Sequence, residues 1–265
     1  MFSNLRSLIF KFDPETAHNL AIKSLKFNFV PNILDNDKNN PLFKTKLFNK
    51  ELENPIGMAA GFDKNAEVYN SLFKLGFGFV EVGTITPLKQ YGNPKPRVFR
   101  LVEDEALINR LGFNNHGAEI VKDRIKRNKK LGLLGINIGP NKDSTDRLND
   151  YLIGLKTFYD DADYITINIS SPNTENLRTF HEGNKLQDLL KSIMREKKNL
   201  KSKVPIAVKI SPDISEDQVS QITEILLEHE IKAIIVSNTS EATRDKLGNI
   251  QRHQKGGLSG KPIEE

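Results

Sequence analysis

The sequence predicts a parallel α/β fold of the (β/α)8 TIM-barrel type. Six short apolar runs alternate along the chain with helical patterns. Apolar residues are mostly consecutive in these runs and do not regularly alternate with polar ones, as in strands that helices cover on both faces. Polar residues follow all six runs, whereas an open doubly wound sheet concentrates its ligand site at one crevice. The predicted strands lie at residues 55–61, 79–84, 133–139, 164–170, 206–211 and 233–239.

Helical patterns fill most of the intervals between these strands. They cover residues 66–75, 116–130, 184–200 and 216–230. A complete barrel has eight strands and usually binds phosphate after the seventh and eighth. This sequence shows six strands and no glycine-rich loop of that kind. We therefore expect a C-terminally truncated, incomplete barrel at residues 41–265, with weakened binding of a phosphorylated cofactor.

The N-terminal segment, residues 1–40, is predicted to hold two short amphipathic helices followed by a polar linker that begins at residue 31. The second helix starts at Asp13-Pro14-Glu15, because an N-cap acid followed by proline is a strong start signal. The two apolar stripes are Phe2, Leu5, Ile9 and Phe12, then Ala17, Leu20, Ala21 and Leu25. Spacing leaves two interpretations open: a helical hairpin packed on the main domain, or an element lying on a membrane surface.

Composition excludes several classes of site. The 265-residue chain has no cysteine, which excludes disulfides, zinc–thiolate sites and a cysteine nucleophile. Its five histidines are scattered without ligand spacing, so no metal site is predicted. The net charge of +5 comes from lysines spread along the chain, and no nucleic-acid-binding motif accompanies it. No apolar run reaches the roughly 18 residues that span a bilayer.

The predicted strand ends carry amides, hydroxyls and two lysines, Lys64 and Lys209. Amides offer paired donors and acceptors that suit a planar imide, and a lysine can stabilise a developing anion. This set favours redox chemistry in which a cofactor takes the electrons. The first strand is not followed by GxGxxG, which argues against a nicotinamide-binding Rossmann unit.

Six segments, in order, resemble the motifs of dihydroorotate dehydrogenases. They are NPIGMAAGFDK (54–64), EVGT (81–84), KPRVFR (95–100), NRLGFNN (109–115), NISSPN (168–173) and GGLSG (256–260). Ser171 resembles the base of the second, quinone-linked class, since first-class enzymes carry a cysteine there. The DPETAH segment at residues 13–18 also resembles that class alone.

The resemblance implies an oxidoreductase that converts (S)-dihydroorotate to orotate in pyrimidine synthesis. FMN would be the hydride acceptor and a membrane quinone the final electron acceptor. The N-terminal helices would attach the protein peripherally to the cytoplasmic side of a bacterial inner membrane. Two alternatives stay open: a non-catalytic truncated remnant without flavin, and another FMN- or phosphate-binding barrel oxidoreductase.

The resemblance also implies roles for individual residues. Ser171 would remove a proton from C5 of dihydroorotate, and Lys209 would stabilise reduced flavin. The substrate would be bound by Lys64, Asn109, Arg110, Leu111, Gly112, Phe113, Asn168, Asn173, Asn238 and Thr239. FMN would be bound by Ala60, Gly61, Phe62, Asp63, Lys64, Thr84, Asn137, Asn168, Lys209, Ser237 and Gly260.

Overall fold

The computed structural model describes residues 6, 9–27, 41–174, 176–242 and 244–264. In chain order the strands are β1 (Thr45–Leu47), β2 (Lys50–Leu52), β3 (Gly57–Met58), β4 (Phe79–Ile85), β5 (Val98–Leu101), β6 (Ala106–Asn109), β7 (Leu133–Ile138), β8 (Tyr164–Asn168), β9 (Ile206–Lys209), β10 (Ala233–Ile235) and β11 (Gly257–Gly260). The helices are α1 (Pro14–Lys26), α2 (Tyr69–Lys74), α3 (Ala118–Arg127), α4 (Arg147–Phe158), α5 (Gly183–Asn199) and α6 (Glu216–Glu228). Within these ranges no helix is long and apolar enough to cross a membrane.

A curled six-stranded parallel sheet forms the centre of the molecule and makes about half of a barrel. Its strand order is β10-β9-β8-β7-β4-β3, and each strand coincides with one of the six predicted apolar runs. The prediction of an incomplete (β/α)8 barrel is therefore confirmed. The main core lies between this sheet and its helices. It includes Ile136, Ile165, Ile167, Leu155 and Leu189, all fully buried.

Strand register decides which polar side chains become neighbours. Asn137 of β7 lies opposite Thr166 of β8, and Asn168 of β8 lies opposite Lys209 of β9. Strand β4 shifts its register against β7 between Val82 and Ile85. The carboxyl ends of four adjacent strands therefore bring polar groups to one edge of the sheet.

Three regular features were not predicted from the sequence, the first being the antiparallel hairpin β1–β2. The long interval after β4 holds the hairpin β5–β6, which joins β11 in a three-stranded antiparallel sheet with its own apolar cluster. Pairing between β6 and β11 joins segments about 150 residues apart, so no local pattern announces it. Helix α4 was missed, although Leu148, Tyr151, Leu152, Leu155 and Phe158 follow the i, i+3, i+4, i+7 spacing of one helical face.

Helix α1 begins where it was predicted to begin. The side chain of Asp13 accepts a hydrogen bond from the Thr16 amide at 2.9 Å, and Pro14 occupies the first helical turn. The predicted face was wrong in part, because Ile22 and Leu25 pack on the domain while Leu20 is 46% exposed. An i, i+3 pair thus anchors α1.

Part of the N-terminal prediction falls outside the described residues, namely Phe2 and Leu5 of the first stripe and linker residues 31–40. The next residues, Pro41–Phe43, form a 3-10 turn instead of continuing the expected linker. The proposed domain boundary near residue 40 stays a prediction.

Candidate active site

A buried hydrogen-bonded network joins three of the predicted site residues at the carboxyl edge of the sheet. The Thr84 hydroxyl donates to Asn137 Oδ1 at 2.6 Å. Asn168 Nδ2 donates to Thr84 Oγ1 at 2.9 Å and to Asn137 Oδ1 at 3.2 Å. These side chains belong to β4, β7 and β8, so the network crosses three strands and fixes the amides relative to one another.

The network continues toward the loop after β10. The Ser170 hydroxyl donates to Asn168 Oδ1 and accepts from Asn238 Nδ2, both at 2.9 Å. Asn238 Oδ1 in turn accepts from the Thr239 amide at 2.8 Å. Neighbouring Ser237 donates its hydroxyl to the Asn238 carbonyl at 3.0 Å. The predicted cofactor residues and the predicted substrate residues are therefore parts of one connected arrangement.

Ser171 lies in the loop after β8 and is buried. Its Oγ accepts a hydrogen bond from the Asn173 amide at 3.2 Å, and Asn173 Nδ2 donates to Asn109 Oδ1 at 3.4 Å. Asn109 ends β6, so the small antiparallel sheet contributes to the same site. Gly257 faces Thr239 so closely that a Cβ there would lie 1.8 Å from Thr239 Oγ1. Only glycine allows this approach.

The loop at residues 60–64 is tied to the end of β4 by backbone hydrogen bonds. The Gly61 amide donates to the Gly83 carbonyl at 2.8 Å, and the Gly83 amide donates to the Asp63 backbone carbonyl at 3.0 Å. The buried Asp63 carboxylate accepts from the amides of Glu67 and Val68, so its oxygens hold the chain that leads into α2. Burial raises the pKa of Asp63, and these backbone hydrogen bonds oppose that shift.

Two lysines reach the site, Lys64 from the loop after β3 and Lys209 from the end of β9. The Lys64 ammonium donates to the Gly61 carbonyl, and burial lowers the pKa of Lys64 to about 8 although the Glu15 carboxylate opposes the shift. Burial also lowers the pKa of Lys209, against the opposing charge of Glu81. Within the described part of the chain, no side chain or carbonyl forms a hydrogen bond with the Lys209 ammonium. Lys209 can therefore serve an electron-rich ligand.

Other predicted site residues are placed differently. The Arg110 guanidinium turns to Gln254 Oε1 at 2.9 Å and stacks over Phe99, so its side chain is already engaged. Phe62 packs edge-on against His18. Gly260 lies at the opposite end of β11 from Gly257 and lines a separate cavity of about 550 Å³.

The segment 111–113 is held mainly through its backbone carbonyls. The Leu111 carbonyl accepts from the Asn93 amide at 3.0 Å, and the Gly112 carbonyl accepts from Gln90 Nε2 at 3.0 Å. The Phe113 ring approaches Gly139, where an added Cβ would lie 3.1 Å from it. Ala60 is half-buried in the turn that precedes Gly61.

The structure adds polar residues that the sequence analysis did not select. Glu81 accepts from Asn137 Nδ2 and from the Thr166 hydroxyl, both at 2.8 Å. The Tyr151 hydroxyl donates to the Asn168 carbonyl at 2.6 Å. A signal was present for Glu81, since a carboxylate inside the apolar run FVEVGT is unusual unless it is paired.

The fold and this site define an α/β half-barrel with a polar ligand site at the carboxyl edge of its parallel sheet. Residues 42–265 match the family model described as dihydroorotate dehydrogenase. The dihydroorotate dehydrogenase (quinone) of Bartonella tribocorum is 47% identical over 267 residues, which cover 98% of this chain and 72% of the relative. The enzyme of that name from Actinobacillus pleuropneumoniae serotype 7 is 44% identical and is covered to 80%.

Solved structures agree with this assignment. The dihydroorotate dehydrogenase of Eimeria tenella in complex with ferulenol superposes with a TM-score of 0.89 at 37% identity. That superposition covers 94% of this chain and 73% of the other. The chain belongs to the dihydroorotate dehydrogenase family and is similar to its quinone-linked members. The predicted family and enzyme class are confirmed.

Proposed function

We propose that this chain oxidises (S)-dihydroorotate to orotate in pyrimidine synthesis, with FMN as cofactor and a membrane quinone as the final electron acceptor. The observation that carries the proposal is the junction of Ser171, Asn173 and Asn109 beside the amide network of Asn168 and Asn238. Such a junction would offer one hydroxyl to take the proton from C5 and several amides to bind the carbonyl and N–H groups of the ring.

The donor set fits a flavin. Thr84, Asn137 and Asn168 offer a line of amide and hydroxyl groups, and Lys209 supplies a cation next to Asn168 in the sheet. Gly61 has a φ of +111°, and a Cβ built there would meet no atom within 4 Å, so the chain leaves open space beside this edge. FMN, when bound, takes up the two electrons removed from the substrate.

Each protein group then has a defined task. Ser171 Oγ takes the proton from C5, while hydrogen and two electrons leave C6, so that the C5–C6 double bond of orotate forms. Asn109, Asn173 and Asn238 hold the ring, and Lys64 pairs with the carboxylate. Since a free serine hydroxyl is a weak base, its proton must pass on to solvent or to a neighbouring hydroxyl.

The proposed reaction is tested by titrating the purified chain with FMN and then adding dihydroorotate without oxygen. We expect the flavin absorbance to bleach and orotate to form in equal amount, followed by recovery of the absorbance on addition of a quinone. A chain that binds no FMN would be the non-catalytic remnant. A flavoprotein that leaves dihydroorotate unchanged would be a different barrel oxidoreductase.

We also infer that α1 lies on the cytoplasmic surface of a bacterial inner membrane. Phe12 is 45% and Leu20 is 46% exposed, with the lysines Lys11 and Lys23 close by in sequence. Apolar side chains flanked by basic residues suit the boundary of an anionic bilayer. We expect Leu20→Asp to weaken binding to anionic vesicles, whereas Ile120→Asp on α3, an equally exposed position, should not.

A further inference from the structure

Glu81 is a buried carboxylate in the middle of β4, with 4% of its surface exposed. One oxygen accepts from Asn137 Nδ2 at 2.8 Å, and the other accepts from the Thr166 hydroxyl at 2.8 Å. Burial first, and then the Glu81 charge, raise the pKa of Tyr164, and Glu81 opposes the lowering of the pKa of Lys209. Removing a carboxylate from water costs free energy unless hydrogen bonds offset it, so the partners of Glu81 indicate its role.

The partners of Glu81 determine which way Asn137 points. An asparagine amide has nearly the same shape when its oxygen and nitrogen are exchanged, so only its hydrogen bonds fix its direction. A carboxylate only accepts, and therefore Nδ2 of Asn137 must face Glu81. Asn137 Oδ1 is then the acceptor for Thr84 and Asn168.

The same direction passes along the network. Because Asn168 uses Nδ2 toward Thr84 and Asn137, its Oδ1 faces Ser170 and accepts from that residue's amide and hydroxyl. The Ser170 hydroxyl then accepts from Asn238 Nδ2. Exchanging oxygen and nitrogen in Asn137 would place acceptor against carboxylate and donor against donor, so one reversal would disturb every later member.

We propose that Glu81 is a positioning residue that fixes the direction of the Asn137 amide and, through it, the orientation of the Thr84 and Asn168 side chains at the proposed flavin site. The inference rests on the proposed function, since it assumes that these three residues contact FMN. Glu81 acts through Asn137, whose Nδ2 it binds. The contact between Thr166 and Glu81 serves the same carboxylate but leads to no predicted cofactor residue.

The test compares three substitutions by fluorescence titration with FMN. Glu81→Met keeps the length of the side chain but removes both acceptors, and we expect it to weaken FMN binding about tenfold or more, which corresponds to roughly 1.4 kcal/mol. Glu81→Gln keeps one acceptor that can face Asn137, so its FMN affinity should stay within about threefold of the parent. Thr166→Val removes the other hydrogen bond to the same carboxylate and should leave the affinity within about twofold.

Outcomes separate the positioning role from a merely structural one. Equal weakening by Glu81→Met and Thr166→Val, or unchanged affinity in Glu81→Met, would overturn the inference. If the parent chain binds no FMN at all, the proposed function fails before Glu81 is tested.

A second measurement is independent of the folding of Glu81→Met. In the parent chain, the Asn137 side-chain amide should exchange its protons far more slowly than exposed Asn199. Exchange of Asn137 as fast as that of Asn199 would show that Glu81 does not hold it.

Discussion

Two polar regions of the molecule are built on different principles. At the carboxyl edge of the sheet, buried neutral amides and hydroxyls join in a continuous network around Asn137 and Asn168. At the N-terminal flank, ion pairs fasten α1 to the domain: Glu15 with Arg97 at 2.6 Å, and Lys26 with Glu67 at 2.6 Å. Each amide in the network has a donor end and an acceptor end, so the network requires one orientation of each amide. The ion pairs require only that their two groups carry opposite charges.

The difference bears on what each region can recognise. A directed, buried network discriminates one ring edge from another, since a wrong ligand would leave a donor or an acceptor unpaired. Ion pairs hold helix α1 in place, while Leu20 on its outer face and Phe12 just before the helix stay exposed. The sheet edge is thus suited to one small ligand, and the flank to a surface.

The sharpest test of the sheet edge is Ser171→Ala. Removing a positioned acid–base group costs about 10²–10⁴-fold in rate, so flavin reduction by dihydroorotate should slow by that factor while FMN stays bound. Stopped-flow absorbance measures the rate. Ser202→Ala, at a loop serine whose hydroxyl accepts from the Val204 amide, is the matched control. Reduction at the parent rate would remove Ser171 from its role.

Glu15→Gln tests whether the attachment of α1 to the domain depends on the charge of Glu15. Arg97 is 6% exposed and pairs with Glu15 through two nitrogens, so loss of the carboxylate charge should cost about 3 kcal/mol of unfolding free energy. Burial would raise the pKa of Glu15, but hydrogen bonds and charge from Arg97 and Lys95 outweigh it and lower that pKa. The stabilisation is therefore present at neutral pH and lost as pH falls.

Denaturant unfolding of Lys26→Gln provides the contrast for this prediction. Lys26 is 44% exposed, and pairs of this kind contribute about 0–1 kcal/mol. Equal destabilisation by the two substitutions would show that burial of Arg97 does not distinguish the pairs.

The sequence predicted the frame of both regions better than their contacts. Continuous apolar runs identified the six parallel strands, and Asp13-Pro14 identified the start of α1. The direction of Asn137 was not predictable, because it depends on the register that sets Thr166 beside Asn137 and on Glu81 across the sheet. The face that α1 buries likewise depends on its tertiary neighbours.

The contacts of Arg178 were likewise not predictable from the sequence, and they lead to a third prediction. Its guanidinium donates to the carbonyls of Ser170 at 3.2 Å and Thr239 at 3.1 Å, and it pairs with Asp213 at 2.9 Å. It therefore ties the Ser171 loop to the loop after β10. Arg178→Met should lower kcat/KM for dihydroorotate about tenfold to a hundredfold, because charge-assisted hydrogen bonds contribute about 1.5–3 kcal/mol each.

The control for Arg178 is Arg127→Met, since Arg127 is 79% exposed and pairs only weakly with Asp123. Arg178→Lys, which keeps the charge but cannot reach both carbonyls, should fall between the parent and Arg178→Met. Parent-like turnover in Arg178→Met would mean that the Ser171 loop keeps its position without Arg178.

The smallest expected effect lies where the two regions meet, at Lys64. Burial lowers its pKa to about 8, with Glu15 of α1 opposing the shift. If protonated Lys64 binds the substrate carboxylate, the affinity for orotate should be greatest below pH 8 and fall about tenfold between pH 7 and 9, as the ammonium loses its proton. Burial lowers the pKa of His18 to about 4, so His18 is neutral throughout this range. Orotate titrations should show this decline in the parent, none in Lys64→Arg, and a weak, flat profile in Lys64→Gln. A parent profile as flat as that of Lys64→Arg would separate Lys64 from the carboxylate.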